Sequence, residues 1–145
     1  MAERLGDMLV RRKVLDSAKL QSALEEQSRT NRFLGEILVE RGYVSEEQLL
    51  EILAEQFETK FISLADLKIN PIAIKMVPSD MAWEHKIMPV EFRVGVLLIA
   101  VSNPLDVWPM SVLQSKLNLD EVRFLLATKS EIRKALEKHY GPEVV

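Results

Sequence analysis

Twenty-nine residues separate two copies of one phrase, RLGDMLV from Arg4 and FLGEILV from Phe33. Laid over each other without a gap, Arg4–Gln27 and Phe33–Gln56 agree at nine of 24 positions. The identical pairs are Leu5/Leu34, Gly6/Gly35, Leu9/Leu38, Val10/Val39, Arg12/Arg41, Leu20/Leu49, Leu24/Leu53, Glu26/Glu55 and Gln27/Gln56. A tandem repeat constrains a small chain strongly, because one local structure must serve twice and each copy must bury its apolar face.

The spacing within each copy predicts two short helices per repeat. They run over about residues 5–12 and 17–27 or beyond, then 34–41 and 46–57. Ser45 followed by Gln48 reads as a capping box for the fourth helix. Asp16 is the equivalent cap, without a partner at Lys19 that can close the box. Gly42 stands just past the third helix, where a left-handed residue is usual. Lys13 occupies that place in the first repeat and is expected to be strained by about 1 kcal/mol if its backbone is the same.

Beyond FETKFISL the pattern changes. Pro71, Pro78 and Pro89 divide the middle into short helices near 72–77 and 79–85. KIMPVEF and VGVLLIAVS read as strands joined by a turn at Arg93–Gly95. A helix near 107–116, a strand over 122–127 and a last helix capped by Thr128 with Glu131 complete the chain. The expected class is α+β. Tandem two-helix ligand-binding repeats (residues 1–60) pack on a small α+β subdomain (61–145) with a roughly three-stranded sheet.

At 145 residues and 48% hydrophobic, the chain can fill a core, yet no run approaches the ~20 apolar residues of a membrane span. With no Cys and no apolar leader, the sequence fits a cytoplasmic protein without disulfides or thiolate metal sites. The net charge of −3, without a basic run, argues against nucleic acid and direct membrane insertion. His85 and His139 lack metal-ligand spacing, and Trp83 and Trp108 are best read as core or interface anchors. No phosphate-binding Gly-rich loop, nucleophile elbow or other catalytic constellation is legible, so no enzyme, catalytic residue, metal or cofactor is expected.

The second helix of each repeat carries a more specific clue. Leu20, Leu24 and Gln27 share one face at i, i+4 and i+7, as do Leu49, Leu53 and Gln56. A single glutamine there is usually a helix end reaching solvent. Its return in both copies, beside a paired Leu-Gly, points instead to a ligand that satisfies two carboxamides. Gly6 and Gly35 let a backbone or ligand approach closely, or simply let two helices cross. The N–H groups opening each helix suit a phosphate, and Arg4 stands beside the first pair. A two-fold arrangement of apolar beds, glycines and amides is what a two-fold symmetric ligand would need.

Tandem segments of the form R-L-G-x-x-L and L-x-x-x-L-x-x-Q, here separated by Ser28–Arg32, resemble the MshEN domain. That domain stands at the N-terminus of type II secretion and type IV pilus assembly ATPases and binds cyclic di-GMP. VPSDMAWEHKIMPVEF and LLIAVSNPLD look like its α+β continuation. The resemblance implies a non-enzymatic, cytoplasmic cyclic di-GMP-binding regulatory domain whose partner is a secretion or pilus ATPase motor domain or another machinery component. Arg4, Leu5, Gly6 and Gln27 would serve one half of the ligand, and Leu34, Gly35 and Gln56 the other. Leu9, Leu20, Leu24, Leu38, Leu49 and Leu53 would form the apolar bed, with Asn103 or Asp106, or else Asp7 and Glu36, available to a guanine edge. Phe33 stands where the second repeat often has Arg, and Lys13 where the first often has Gly. Phe33 can stack on guanine but not offset charge, and Arg32 is the candidate substitute. The alternative is a protein-interaction adaptor that kept the repeat packing and lost the nucleotide.

Overall fold

The computed structural model describes residues 4–105 and 108–143, and the backbone alone at 108 and 109. It forms two compact units, Met1–Glu58 and Thr59–Val145.

The first unit holds α1 (Leu5–Arg11), α2 (Ser17–Thr30), α3 (Leu34–Glu40) and α4 (Glu46–Gln56). The caps follow the local sequence. Asp16 accepts the Lys19 amide at 2.8 Å without a returning bond, and Ser45 and Gln48 close the full box at 3.1 and 2.9 Å. Helix α2 extends past Gln27 until Asn31 turns left-handed (φ +57°) and donates its N–H to Gln27 O at 2.8 Å.

The two turns within the repeats are copies. Val14 and Leu15 donate to Leu9 O at 3.0 and 3.3 Å, while Tyr43 and Val44 donate to Leu38 O at 3.0 and 3.4 Å. The core repeats as well. Met8/Ile37, Leu9/Leu38, Leu15/Val44 and Ala23/Ile52 are equivalent pairs, all buried. Helix α1 packs on α4 and α2 on α3, so the first helix of each copy meets the second helix of the other. Neither copy therefore buries its apolar stripe alone.

The second unit opens with Phe61 bridged to Leu126 and a 3-10 turn at Leu64–Asp66, two features the sequence did not predict. Then follow α5 (Pro71–Met76), α6 (Ser79–His85), β1 (Met88–Arg93), β2 (Val96–Val101), α7 (Trp108–Lys116), β3 (Glu121–Leu126) and α8 (Lys129–Tyr140). The mixed sheet has the order β1-β2-β3, an antiparallel hairpin with an irregularity between Pro89 and Glu91, then a parallel pair joined through α7. Ile87, Met88, Leu97, Ile99, Leu113, Leu126 and Leu136 fill its core. Trp83 is buried, as expected of an anchor, and Lys86 lies 5.9 Å from its ring. The side chain of Trp108 lies outside the described residues.

Thr128 caps α8 through the Glu131 amide at 3.2 Å, but the expected box is only half formed. The Glu131 carboxylate instead accepts the Leu64 amide at 2.5 Å and the Ser63 hydroxyl at 3.3 Å. The carboxylate is thus committed to the unpaired N–H that opens the 3-10 turn rather than to its own helix start.

Candidate ligand-binding site

Apart from Asn103 and Asp106, every residue singled out for ligand lies within the first unit, and the repeat places them in matched pairs. Arg4 and Phe33 occupy the N-cap positions of α1 and α3, with extended backbones and no side-chain cap bond. Neither side chain carries an acceptor for a backbone amide, so both helices open without the side-chain caps that α2 and α4 possess.

The next residues, Gly6 and Gly35, are buried against the second helix of their own repeat. A Cβ on Gly6 would stand 2.7 Å from Leu20 Cδ1, and one on Gly35 would stand 2.9 Å from Leu49 Cδ2. The missing side chain thus serves helix crossing on that face. Of the two roles that the sequence left open for these glycines, this is the one with an observed contact.

Burial divides the six leucines of the apolar bed. Leu9 and Leu38 are wholly buried, and Leu49 and Leu53 nearly so, which makes them core supports rather than contact surface. Leu20 is half-buried and Leu24 is 38% exposed, as is Phe33 at 42%. Among the described residues of this unit, Leu24 and Phe33 are the large apolar side chains left open to solvent. Leu5 and Leu34 are half-buried, and Arg4 is exposed. The accessible apolar surface is therefore asymmetric although the sequence pattern is not. The stripe of α2 stays partly open while that of α4 closes into the core.

Gln27 is half-buried, and its Nε2 donates to the Arg32 carbonyl at 3.2 Å. Gln56 is likewise half-buried. The Arg32 guanidinium is held among carboxylates, 2.5 Å from Glu40, 3.7 Å from Glu26 and 3.9 Å from Glu36. The Glu40 bond outweighs desolvation and raises the Arg32 pKa further above its ordinary range. Arg32 is thus engaged within the protein rather than standing in for the arginine that Phe33 replaces.

Arg12/Arg41 and Glu26/Glu55 are identities of the repeat to which the sequence alone assigns no role. In the fold they cross: Arg12 pairs with Glu55 and Arg41 with Glu26. Arg41 also donates to Ser22 Oγ at 2.7 Å and lies 5.8 Å from the Tyr43 ring.

A shallow depression of about 470 Å³ lies at the α1–α2 turn, lined by Val10, Lys13, Val14, Leu15, Asp16, Ser17 and Lys19. None of these belongs to the predicted site. In the second unit, Asn103 uses its Oδ1 to accept the Leu105 amide at 3.0 Å, a turn-forming role. Asp106 lies outside the described residues.

The family model of the MshEN domain matches residues 57–145. The chain belongs to the MshEN domain family. The match falls on the second unit, whereas the residues that carry the sequence resemblance lie in the first. The whole chain is spanned by structural likeness: MshE solved with cdg (cyclic di-GMP) covers 95% of this MshEN chain at 30% identity and a TM-score of 0.85. The N-terminal domain of XpsE covers 97% at 21% identity and a TM-score of 0.76, a likeness of fold. Among curated proteins, the type IV pilus assembly ATPase PilB of Myxococcus xanthus is 30% identical over 141 residues, 97% of this chain and 25% of its own length. PilB of Thermus thermophilus is 31% identical over 144 residues, 98% of this chain and 16% of its own. The chain thus spans a quarter or less of these two relatives.

Proposed function

We propose that this MshEN domain is a non-enzymatic receptor for cyclic di-GMP, acting in the cytoplasm as a regulatory domain of a type II secretion or type IV pilus assembly ATPase or as a stand-alone relative. The observation that carries the reading is the twin Leu-Gly and Leu-x-x-x-Leu-x-x-Gln arrangement, on a chain that shares its fold with a cyclic di-GMP-bound relative. Arg4, Leu5, Gly6 and Gln27 serve one half of the ligand and Leu34, Gly35 and Gln56 the other. Leu20 and Leu24 supply apolar contact over a bed stiffened by Leu9, Leu38, Leu49 and Leu53. Phe33 offers a stacking face in place of a guanidinium. A ligand that bridges both repeats fixes their arrangement, and it biases a motor domain to the extent that it binds two arrangements unequally.

Calorimetric titration with cyclic di-GMP tests this, with GMP and ATP as controls. One saturable site per chain for cyclic di-GMP alone is expected. Unchanged affinity in the double variant Gln27→Ala with Gln56→Ala would show the site to be wrong.

One observation favours a second reading, an adaptor that docks another machinery component. The exposed Phe33 and the internally engaged Arg32 leave the second half-site without an available cation at its entrance. Arg4→Ala separates the two, since a receptor loses nucleotide and an adaptor keeps its protein partner.

A further inference from the structure

Both repeats carry Glu-Gln toward the end of their second helix, as Glu26-Gln27 and Glu55-Gln56, and both place an arginine at the end of the first helix, Arg12 and Arg41. Each arginine pairs with the glutamate of the opposite copy. The pairing is the electrostatic side of the crossed packing, α1 on α4 and α2 on α3. Each proposed ligand glutamine therefore lies one residue from a carboxylate that the other repeat holds.

We propose that Arg12 and Arg41 are positioning residues for the nucleotide site, each fixing from across the repeat boundary the helix end that carries a glutamine. Arg41 sets Gln27, and Arg12 sets Gln56. The inference rests on the receptor reading and adds to it a cross-wiring of the two half-sites.

The Arg41 side of the device is the more complete. Its Nε meets Glu26 Oε1 at 3.0 Å and its Nη1 meets Ser22 Oγ at 2.7 Å, so it grips α2 at two points four residues apart. Glu26 also neighbours the Arg32 guanidinium, and the Arg32 carbonyl accepts the Gln27 side chain at 3.2 Å. Arg32 thus touches both neighbours, Glu26 through its guanidinium and the Gln27 carboxamide through its backbone carbonyl. Side-chain exposure at this pair is 28% and 22%, against 44% and 45% for Arg12 and Glu55. In the second repeat Glu51 stands at the position of Ser22, where a hydroxyl is absent. Exposed pairs hold geometry weakly and partly shielded, forked ones hold it better. The Arg41 pair is accordingly the firmer of the two.

Two measurements on the full chain test this. In the ligand-free protein, the side-chain amide NMR signals of Gln27 and Gln56 are recorded for wild type, Arg41→Ala and Arg12→Ala. The expected pattern is crossed: Arg41→Ala moves Gln27 and spares Gln56, and Arg12→Ala does the reverse. Cyclic di-GMP titrations of the same proteins should then show Arg41→Ala weakening binding roughly tenfold, and Arg12→Ala less. Combining Arg41→Ala with Gln27→Ala should weaken binding by less than the product of the single effects, while combining it with Gln56→Ala should give the product. Should Arg41→Ala not fold, Glu26→Gln keeps the shape, removes the charge and enters the same series.

Amide shifts that are not crossed overturn the proposal whatever the affinity. Crossed shifts with unchanged affinity also overturn it, leaving a purely structural pair. Crossed shifts in a wild-type chain that does not bind cyclic di-GMP overturn the receptor reading, and the positioning role falls with it.

Discussion

Lys13 and Gly42, equivalent positions 29 residues apart, hold the same left-handed backbone at φ +60° and +72°. Each donates its N–H three residues back, to Val10 O and Val39 O at 3.0 Å. The fold requires this conformation after the first helix of each repeat, and glycine meets it in one copy only. A lysine Cβ crowds the backbone there, at a cost of about 1 kcal/mol. Lys13→Gly is therefore expected to stabilise the chain by about that amount, and Gly42→Lys to destabilise it similarly. Urea unfolding of both variants checks the pair, and equal midpoints for Lys13→Gly and wild type would contradict it.

The two glycines inside the repeats make a sharper comparison. Alanine at either site brings a Cβ under 3.0 Å from a leucine methyl, 2.7 Å at Gly6 and 2.9 Å at Gly35. What differs is the freedom of the neighbour. Leu20 is half-buried and can swing toward solvent, whereas Leu49 is 8% exposed and has nowhere to go. Gly35→Ala is expected to destabilise by about 1–3 kcal/mol through overpacking. At Gly6 the crowding is relieved and alanine's helix preference offsets the rest, leaving a change under about 1 kcal/mol. Denaturant melts of the two single variants decide the order, and a larger loss at Gly6 would show that exposure does not set the cost.

These contrasts mark how far the sequence could be read. Features decided within a few residues were legible: the Ser45–Gln48 box, the Asp16 cap, the left-handed Gly42 and the order of helices and strands. Features decided by a distant partner were not. Glu131 has the spacing of a capping box, yet its carboxylate serves the Leu64 amide, 67 residues away in sequence. The repeat pattern shows that Arg12 equals Arg41 and Glu26 equals Glu55, but equality says nothing about which copy each one meets. Likewise Leu20-Leu24 and Leu49-Leu53 are one pattern with two burials. The repeated residues were thus legible as matched pairs, and their division into buried and exposed positions was not.

Tyr140 gives the second unit a pH dependence. Its hydroxyl is within 2.9 Å of both the Ile74 and Val77 carbonyls, tying the end of α8 to α5. Burial pushes its pKa up from 10 to about 12. The folded state keeps the phenol proton where the unfolded chain releases it, so this contribution is present below pH 10 and is lost as pH rises toward 12. Tyr140→Phe should cost about 1 kcal/mol at neutral pH and flatten the alkaline fall in stability. Unfolding midpoints between pH 8 and 11 measure both effects, and an unchanged alkaline slope would assign the loss to other groups.

Phe33 offers the most direct functional prediction. It is 42% exposed at the N-cap of α3, where its counterpart Arg4 caps α1, so an arginine there meets no packing obstacle. Arg32 does not replace the missing charge, because Glu40, Glu26 and Glu36 already surround its guanidinium. Phe33→Arg should therefore restore a charge-assisted contact to the second half of the ligand, worth about 1.5–3 kcal/mol, or roughly tenfold to a hundredfold in affinity. Stability should hardly change, since an exposed side chain is exchanged for another. Calorimetric titration of wild type and Phe33→Arg with cyclic di-GMP, at matched ionic strength, reads the difference. A gain in that range supports a receptor that stacking has tuned to weaker binding. Binding absent from both proteins would favour the adaptor, with Phe33 turned toward a protein partner.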